Sequence, residues 1–385
     1  MVLGFKYSLM SDSPNSSGLI EVGLQPQPTR RWVHLPHSRR RRILFVVVYL
    51  VFCWGLAVTG IKLFWLYFAG VPLAEAVTTW DIYYPKLRQS GLHDASLRHD
   101  DDRFDVLLLG GSVLEDDWGS VERRLTARLR ATIGDRFRVI NLASQGHTSR
   151  DSLLKYWQLA GQQFEVVIVY DGINDVRMNC CPRELFRDDY THCSWYHDMQ
   201  KHIDAGTIAA PARLRDQAGL VHATIFLQFV DDHMREFGRE IKTDRTIRQN
   251  LAEIVNIAAA RGDAVVLSTF AYHIPEDYSD ERFASHALDY SYRPDGASCG
   301  ATLWGKPEYV AATIDAQNDV IRDLAAQHPE VSFIDQRELM PGEGWLFVDP
   351  CHCSEAGSQR LVDNFWPVIE RRLGDWKAAR AAMAR

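Results

Sequence analysis

Near the C-terminus, Asp349-Pro350-Cys351-His352 sets a carboxylate three positions before an imidazole. At that spacing on one loop, the Asp can hold one ring nitrogen of the His while the other ring nitrogen faces a nucleophile. A partner of the right type lies far upstream, where Gly110-Gly111-Ser112 follows an aliphatic run. A chain that turns sharply through glycines can lift a Ser side chain to the edge of a sheet, and a following helix N-terminus favours negative charge there. Acyl transfer also needs donors aimed at the oxyanion of a tetrahedral intermediate. Gly146, whose missing side chain lets its N–H approach closely, and the amide of Asn174 are the candidates. Taken singly, each piece has an ordinary reading: a turn, a phosphate-binding loop, or a helix-capping loop with a surface His.

These residues need a scaffold that brings them to one place. From Asp105 onward, short aliphatic runs alternate with amphipathic stretches. Strands are expected at Val106–Leu109, Arg138–Leu142, Val166–Tyr170, Ala264–Phe270 and Val331–Ile334. Helices are expected at Val121–Ile133, Ser149–Leu159, Thr246–Ala260, Pro307–Gln327 and Glu355–Leu373. This alternation predicts an α/β fold whose parallel sheet is covered on both faces, with chemistry beyond the carboxyl ends of the strands. Ser112, Gly146 and Asn174 each follow an expected strand end. Two stretches, 178–242 and 272–305, exceed a minimal repeat and read as insertions over the same face.

In their order along the chain, Gly110-Gly111-Ser112, Gly146, Gly172-Ile173-Asn174-Asp175 and Asp349-Pro350-Cys351-His352 resemble the conserved blocks of the SGNH (GDSL-like) hydrolase superfamily. The resemblance spans roughly 105–373. It implies a flavodoxin-like three-layer α/β/α sandwich with a central parallel sheet of about five strands. It also implies a Ser112–His352–Asp349 triad, an oxyanion hole from Ser112, Gly146 and Asn174, and an ester-hydrolase activity needing no metal or organic cofactor. One departure stands in the first block: the family signature has Asp before the serine, where this chain has Gly111.

Other residues invite other readings. Cys351 and Cys353 flank His352, and Cys180, Cys181, His192 and Cys193 lie together in the first insertion, although no standard zinc spacing is present. Cys53 sits in an apolar run; the remaining six, Cys180, Cys181, Cys193, Cys299, Cys351 and Cys353, are even in number, which suits disulfides in an oxidising compartment without fixing their pairing. Trp118, Trp195 and Trp304 are candidates for a sugar or acyl pocket, with core packing as the plainer role.

Residues 1–42 carry seven Lys or Arg against two Asp or Glu, which leaves −12 on the rest of a chain whose net charge is −7. An acidic main body argues against nucleic acid as a partner. Ile43 to Ile61 is free of charge and near the length needed to cross a bilayer, with Arg39 to Arg42 before it and aromatics after it. It reads as an uncleaved transmembrane helix with residues 1–42 a cytoplasmic, largely disordered tail, 62–104 a juxtamembrane stalk or a segment packed beneath the domain, and 105–385 the hydrolase-like domain outside the cytoplasm. The small-x-small Ala74-Glu75-Ala76 is the competing cleavage-site reading, set against an n-region longer than signal peptides use. The expected function is a serine esterase acting on O-acyl, including O-acetyl, groups of an envelope glycan or of a lipid near the membrane. Transfer of the acyl group to a sugar hydroxyl by the same triad, and a non-catalytic tethered binding protein, are the alternatives.

Overall fold

The computed structural model describes residues 39–92, 95–205, 232–293 and 296–383. Most of the expected cytoplasmic tail and the 206–231 part of the first insertion lie outside the described residues. The chain divides into two units, 1–54 and 55–385. Within the first, the described residues are the start of a helix spanning Arg39–Ala69, nearly all exposed. This helix is long and apolar enough to cross a membrane. Its apolar side chains run all round the axis with no polar face, which makes it a candidate membrane span.

The second unit is built on five parallel strands: β1 (Phe104–Gly110), β2 (Phe137–Asn141), β3 (Val166–Tyr170), β4 (Val265–Ser268) and β5 (Ser332–Ile334), in the order β2-β1-β3-β4-β5. This is the flavodoxin-like doubly wound order, in which a crevice opens where the chain leaves β1 and β3 in different directions. β1 and β3 are buried along their whole length and read as continuous hydrophobic runs, as strands covered on both faces do. Alternation still sorts the side chains. Phe104, Val106 and Leu108 enter one core with Leu125 and Leu129 of the helix Val121–Ile133 and Leu361, Phe365 and Ile369 of the C-terminal helix Glu355–Met383. Leu107 and Leu109 enter the other, with Tyr156 of the helix Ser149–Gln158, Leu251 and Ile254 of Asp244–Arg261, and Ile321 of Pro307–Gln327. The expected elements are all present, with ends shifted by a few residues; the last helix runs ten residues beyond Leu373.

A third cluster joins the juxtamembrane stretch to the first insertion. Trp65, Ala69, Val71, Ile82, Tyr83 and Tyr84 pack with Met178, Tyr190, Tyr196 and Met199. Part of the 62–104 stretch thus packs against the first insertion. The stretch is also tied by polar contacts: Tyr84 Oη donates to Asp151 Oδ1 at 2.8 Å, and Lys86 Nζ donates to Glu115 Oε1 at 2.8 Å and to the carbonyl of Ala143 at 2.5 Å.

At the N-terminal ends of β3 and β4, His99 faces two carboxylates, with Nε2 3.3 Å from Asp263 Oδ1 and Nδ1 3.6 Å from Glu165 Oε1. Asp263, then Glu165, raise its pKa from 6.5 to about 10. A folded-state pKa above the unfolded one gives stability that is complete below the unfolded value and is lost as pH rises through the folded one. Removing the imidazole in His99→Ala is expected to cost most stability below pH 6.5 and progressively less up to about pH 10. Thermal unfolding of both proteins across that range measures it; a gap that stays constant or widens with pH contradicts the pairing.

Candidate active site

β1 ends in Gly110, paired across the sheet with Tyr170 at the end of β3. Ser112 then opens a single 3₁₀ turn, Ser112–Leu114, so its N–H has no acceptor within that turn. Four residues after Tyr170 comes Asn174, in the short helix Ile173–Val176. The two chain exits from neighbouring strands thus place Ser112 and Asn174 side by side.

The loop from Leu346 to Ser354 delivers the other pair. It folds back on itself through an antiparallel bridge between Phe347 and Cys353 and a bond from the N–H of Val348 to the carbonyl of His352 at 2.9 Å. His273, just after β4, donates its N–H to the carbonyl of Pro350 at 3.0 Å and anchors the loop to the sheet. In this frame His352 Nε2 lies 2.8 Å from Ser112 Oγ, and His352 Nδ1 lies 2.7 Å from Asp349 Oδ2.

Asp349 has no exposure at all, and an isolated carboxylate at such a position would be costly. It is satisfied by the N–H groups of Cys351 (3.0 Å) and His352 (2.8 Å) on Oδ1, and by the N–H of Cys299 (2.9 Å) beside the imidazole on Oδ2. Burial works to raise its pKa, but the imidazole and these N–H groups outweigh burial and hold the carboxyl below its ordinary value. It is accordingly an anion near neutrality, able to stabilise an imidazolium. Trp118 stacks on His352 with ring centroids 4.1 Å apart, which fixes the plane of the ring from its open side. Ser112 is 4% and His352 1% exposed, so proton exchange between them is shielded from bulk water.

Asn174 is gripped at both ends. Its Oδ1 accepts from Trp304 Nε1 at 3.0 Å, and its Nδ2 donates to the carbonyl of His147 at 2.8 Å, leaving one amide hydrogen for a ligand. Gly146 adopts φ +77°, a left-handed conformation that favours glycine, in the same loop. Below it, His147 Nδ1 and the carbonyl of Leu142 meet the buried ammonium of Lys155, at 3.0 and 2.7 Å. Burial, and then the charge of Lys155, push His147 down to about 3, so it is a neutral acceptor. Thr148 and Ser149 are held in turn by Asp151 and Asp175: the N–H of Thr148 bonds Asp151 Oδ2 at 2.7 Å, and Ser149 Oγ bonds Asp175 Oδ1 at 2.6 Å. A serine with a base, a base with an orienting anion, and donors beside the serine can together perform nucleophilic acyl transfer.

All five residues singled out in the sequence, Ser112, Gly146, Asn174, Asp349 and His352, fall in this one region. Lys155 was not legible as part of it. Its only signal is a cation on the same helix face as Asp151 and Ser152, both buried. The cysteines all carry free thiols, so the disulfides expected for six of them are not formed. Each of three instead has a local acceptor or neighbour: Cys180 Sγ the carbonyl of Trp304, Cys181 Sγ the carbonyl of Met178, and Cys193 Sγ the Sδ of Met178. Of the tryptophans, Trp118 and Trp304 border the site, whereas Trp195 packs on Tyr83.

Gly111 has a reason of its own. A Cβ there would stand 2.6 Å from Asn174 Nδ2 and 3.2 Å from the carbonyl of His147, so the space beside the serine is already taken by the amide. Gly111→Ala is expected to push Asn174 aside and lower kcat by roughly a hundredfold, the order of one lost oxyanion donor, with little change in KM. Steady-state kinetics on an ester substrate decide it; an unchanged kcat would mean that Asn174 has room to move without consequence.

Residues 108–360 match the family described as the GDSL-like Lipase/Acylhydrolase family. Among solved structures, a GDSL-like lipase from Bacteroides thetaiotaomicron is 14% identical, with 74% of this chain and 97% of that one covered and a TM-score of 0.39. A lipase/acylhydrolase from Enterococcus faecalis is 17% identical, with 70% and 96% covered and a TM-score of 0.37. A catalytic mutant of an acetylxylan esterase from Geobacillus stearothermophilus is 15% identical, with 72% and 97% covered and a TM-score of 0.37. No curated protein matches the chain.

Proposed function

Because the chain belongs to the GDSL-like lipase/acylhydrolase family and is a serine hydrolase of carboxylic esters, we propose that it removes O-acyl groups, acetyl above all, from an envelope glycan or a lipid at a membrane surface. Ser112 is the nucleophile, His352 its base and Asp349 the residue that orients the imidazole. The observation that carries this reading is the continuous pair of contacts, 2.8 Å from Ser112 Oγ to His352 Nε2 and 2.7 Å from His352 Nδ1 to Asp349 Oδ2. His352 takes the hydroxyl proton as Ser112 attacks the ester carbonyl, and Asp349 stabilises the imidazolium that forms. The N–H groups of Ser112 and Gly146 and the free amide hydrogen of Asn174 receive the oxyanion. The imidazolium then protonates the departing alkoxide, and a water deprotonated by His352 releases the acyl group from Ser112.

Two features favour a short acyl group at a membrane. Trp118 and Trp304 stand against the imidazole, at 4.1 and 6.5 Å between ring centroids, beside a nearly buried Ser112, a crowding that suits a small acyl group. The helix Arg39–Ala69 is the anchor, with Arg39 to Arg42 on the cytoplasmic side, which puts the catalytic domain beyond the cytoplasm.

The full-length chain in detergent, assayed on p-nitrophenyl acetate and on longer acyl esters, is the test. Ser112→Ala is expected to lose at least about a thousandfold in kcat, and acetate to be preferred over long chains. Equal turnover by wild type and Ser112→Ala rejects the serine mechanism. Acetate appearing without an added sugar acceptor favours hydrolysis over transfer.

A further inference from the structure

Beside the His352–Asp349 pair stands a thiol that the proposed reaction does not use. One Sγ, one carboxylate oxygen and one ring nitrogen, from Cys299, Asp349 and His352, all lie within 4.8 Å of one another. We infer that these three residues form an inhibitory site for a thiophilic divalent cation such as Zn²⁺, and that filling it switches the enzyme off. The inference rests on His352 and Asp349 having the roles proposed above.

Thiolate, imidazole and carboxylate are the donor types that select zinc, whereas Mg²⁺ and Ca²⁺ prefer oxygen ligands alone. Tetrahedral zinc bonds of about 2.3 Å to sulfur and about 2.0 Å to nitrogen and oxygen put neighbouring ligands some 3 to 4 Å apart. The three groups are already close to that spacing, so modest side-chain movements suffice. Three protein ligands leave one position open for water, as in zinc sites that exchange their metal. The arrangement also has an entrance, because Cys299 is half-buried while Asp349 and His352 are fully covered. On binding, the cation takes the place of the thiol proton, which leaves to solvent, and the ring nitrogen is spent on the metal. The His352–Asp349 bond at 2.7 Å is then broken, and the imidazole can no longer serve Ser112. Cys351, whose Sγ is 3.5 Å from His352 Nδ1, stands on the covered side and is a reserve ligand.

The experiment uses full-length protein and two readouts. Zn²⁺ is titrated into the esterase assay of wild type and Cys299→Ser, each scored against its own uninhibited rate, with Mg²⁺ as control. In parallel, Co²⁺ is titrated and thiolate-to-cobalt absorption recorded, which needs no activity. Zn²⁺ but not Mg²⁺ is expected to inhibit, a chelator to restore the rate, and Cys299→Ser to need at least about tenfold more Zn²⁺ and to lose absorption. Equal Zn²⁺ sensitivity of the two proteins, equal inhibition by Mg²⁺, or cobalt absorption unchanged by the substitution overturns the site. Should Ser112→Ala reject the serine mechanism while absorption still depends on Cys299, the metal site stands and its link to turnover falls. Cys299→Ala is the second variant if the serine form does not fold.

Discussion

The structure turns on the pairing of β1 with β3, two strands that are neighbours in space but separated by β2 in sequence. Their last paired residues, Gly110 and Tyr170, are in such close contact that a Cβ on Gly110 would lie 2.5 Å from the carbonyl of Tyr170. From this common level the chain needs two residues to reach Ser112 and four to reach Asn174. The positions of Ser112 and Asn174 are consequently set by strand register, which is stiff, and not by loop flexibility. Slipping the register would send every alternate side chain of β1 into the wrong core, so stability and site geometry are enforced by the same packing.

What that register leaves open is closed by buried polar contacts. The Gly146–Ser149 stretch carries no regular structure until its helix begins, yet Asp151, Asp175 and Lys155 meet its backbone, its hydroxyl and its imidazole from below. Both Asp151 and Asp175 are wholly covered, as is Lys155. Groups of this kind are costly to bury unless each finds a partner, and here the partners are parts of the Gly146–Ser149 loop. Burial pushes Lys155 down and Asp175 up, each towards its neutral form. The loop is rigid because relaxing it would leave these groups unsatisfied.

The sheet was readable from sequence because its strands are continuous aliphatic runs and its helices keep a clean period: Val166–Tyr170, Val121–Ile133 and Pro307–Gln327 have the same bounds in both descriptions. Ser112, Asn174, Asp349 and His352 were readable because glycine turns and an Asp-x-x-His spacing mark the ends of elements. Contacts made across the fold have no such mark. The bond from Trp304 to Asn174 joins residues 130 positions apart, and nothing local to either announces it. Nor does the sequence say that Gly111 is vacant for the sake of the Asn174 amide: an empty position looks alike whether it serves a turn or a neighbour. The thiols misled for a related reason, since an even count speaks to parity and compartment but not to whether any two sulfurs are brought face to face.

The cluster of Trp65, Ala69, Tyr83 and Tyr84 with Tyr190 and Tyr196 erases a boundary that a domain diagram would draw after the apolar helix. Tyr84 and Tyr196 both end on Asp151, which closes the capping box with Thr148 at the start of the helix Ser149–Gln158. The aromatic end of the long apolar helix and the α/β body thus share one core. Cutting the chain between Trp65 and Tyr84 would uncover Met178, Tyr190 and Tyr196. Removing that helix end would therefore open the core of the body itself.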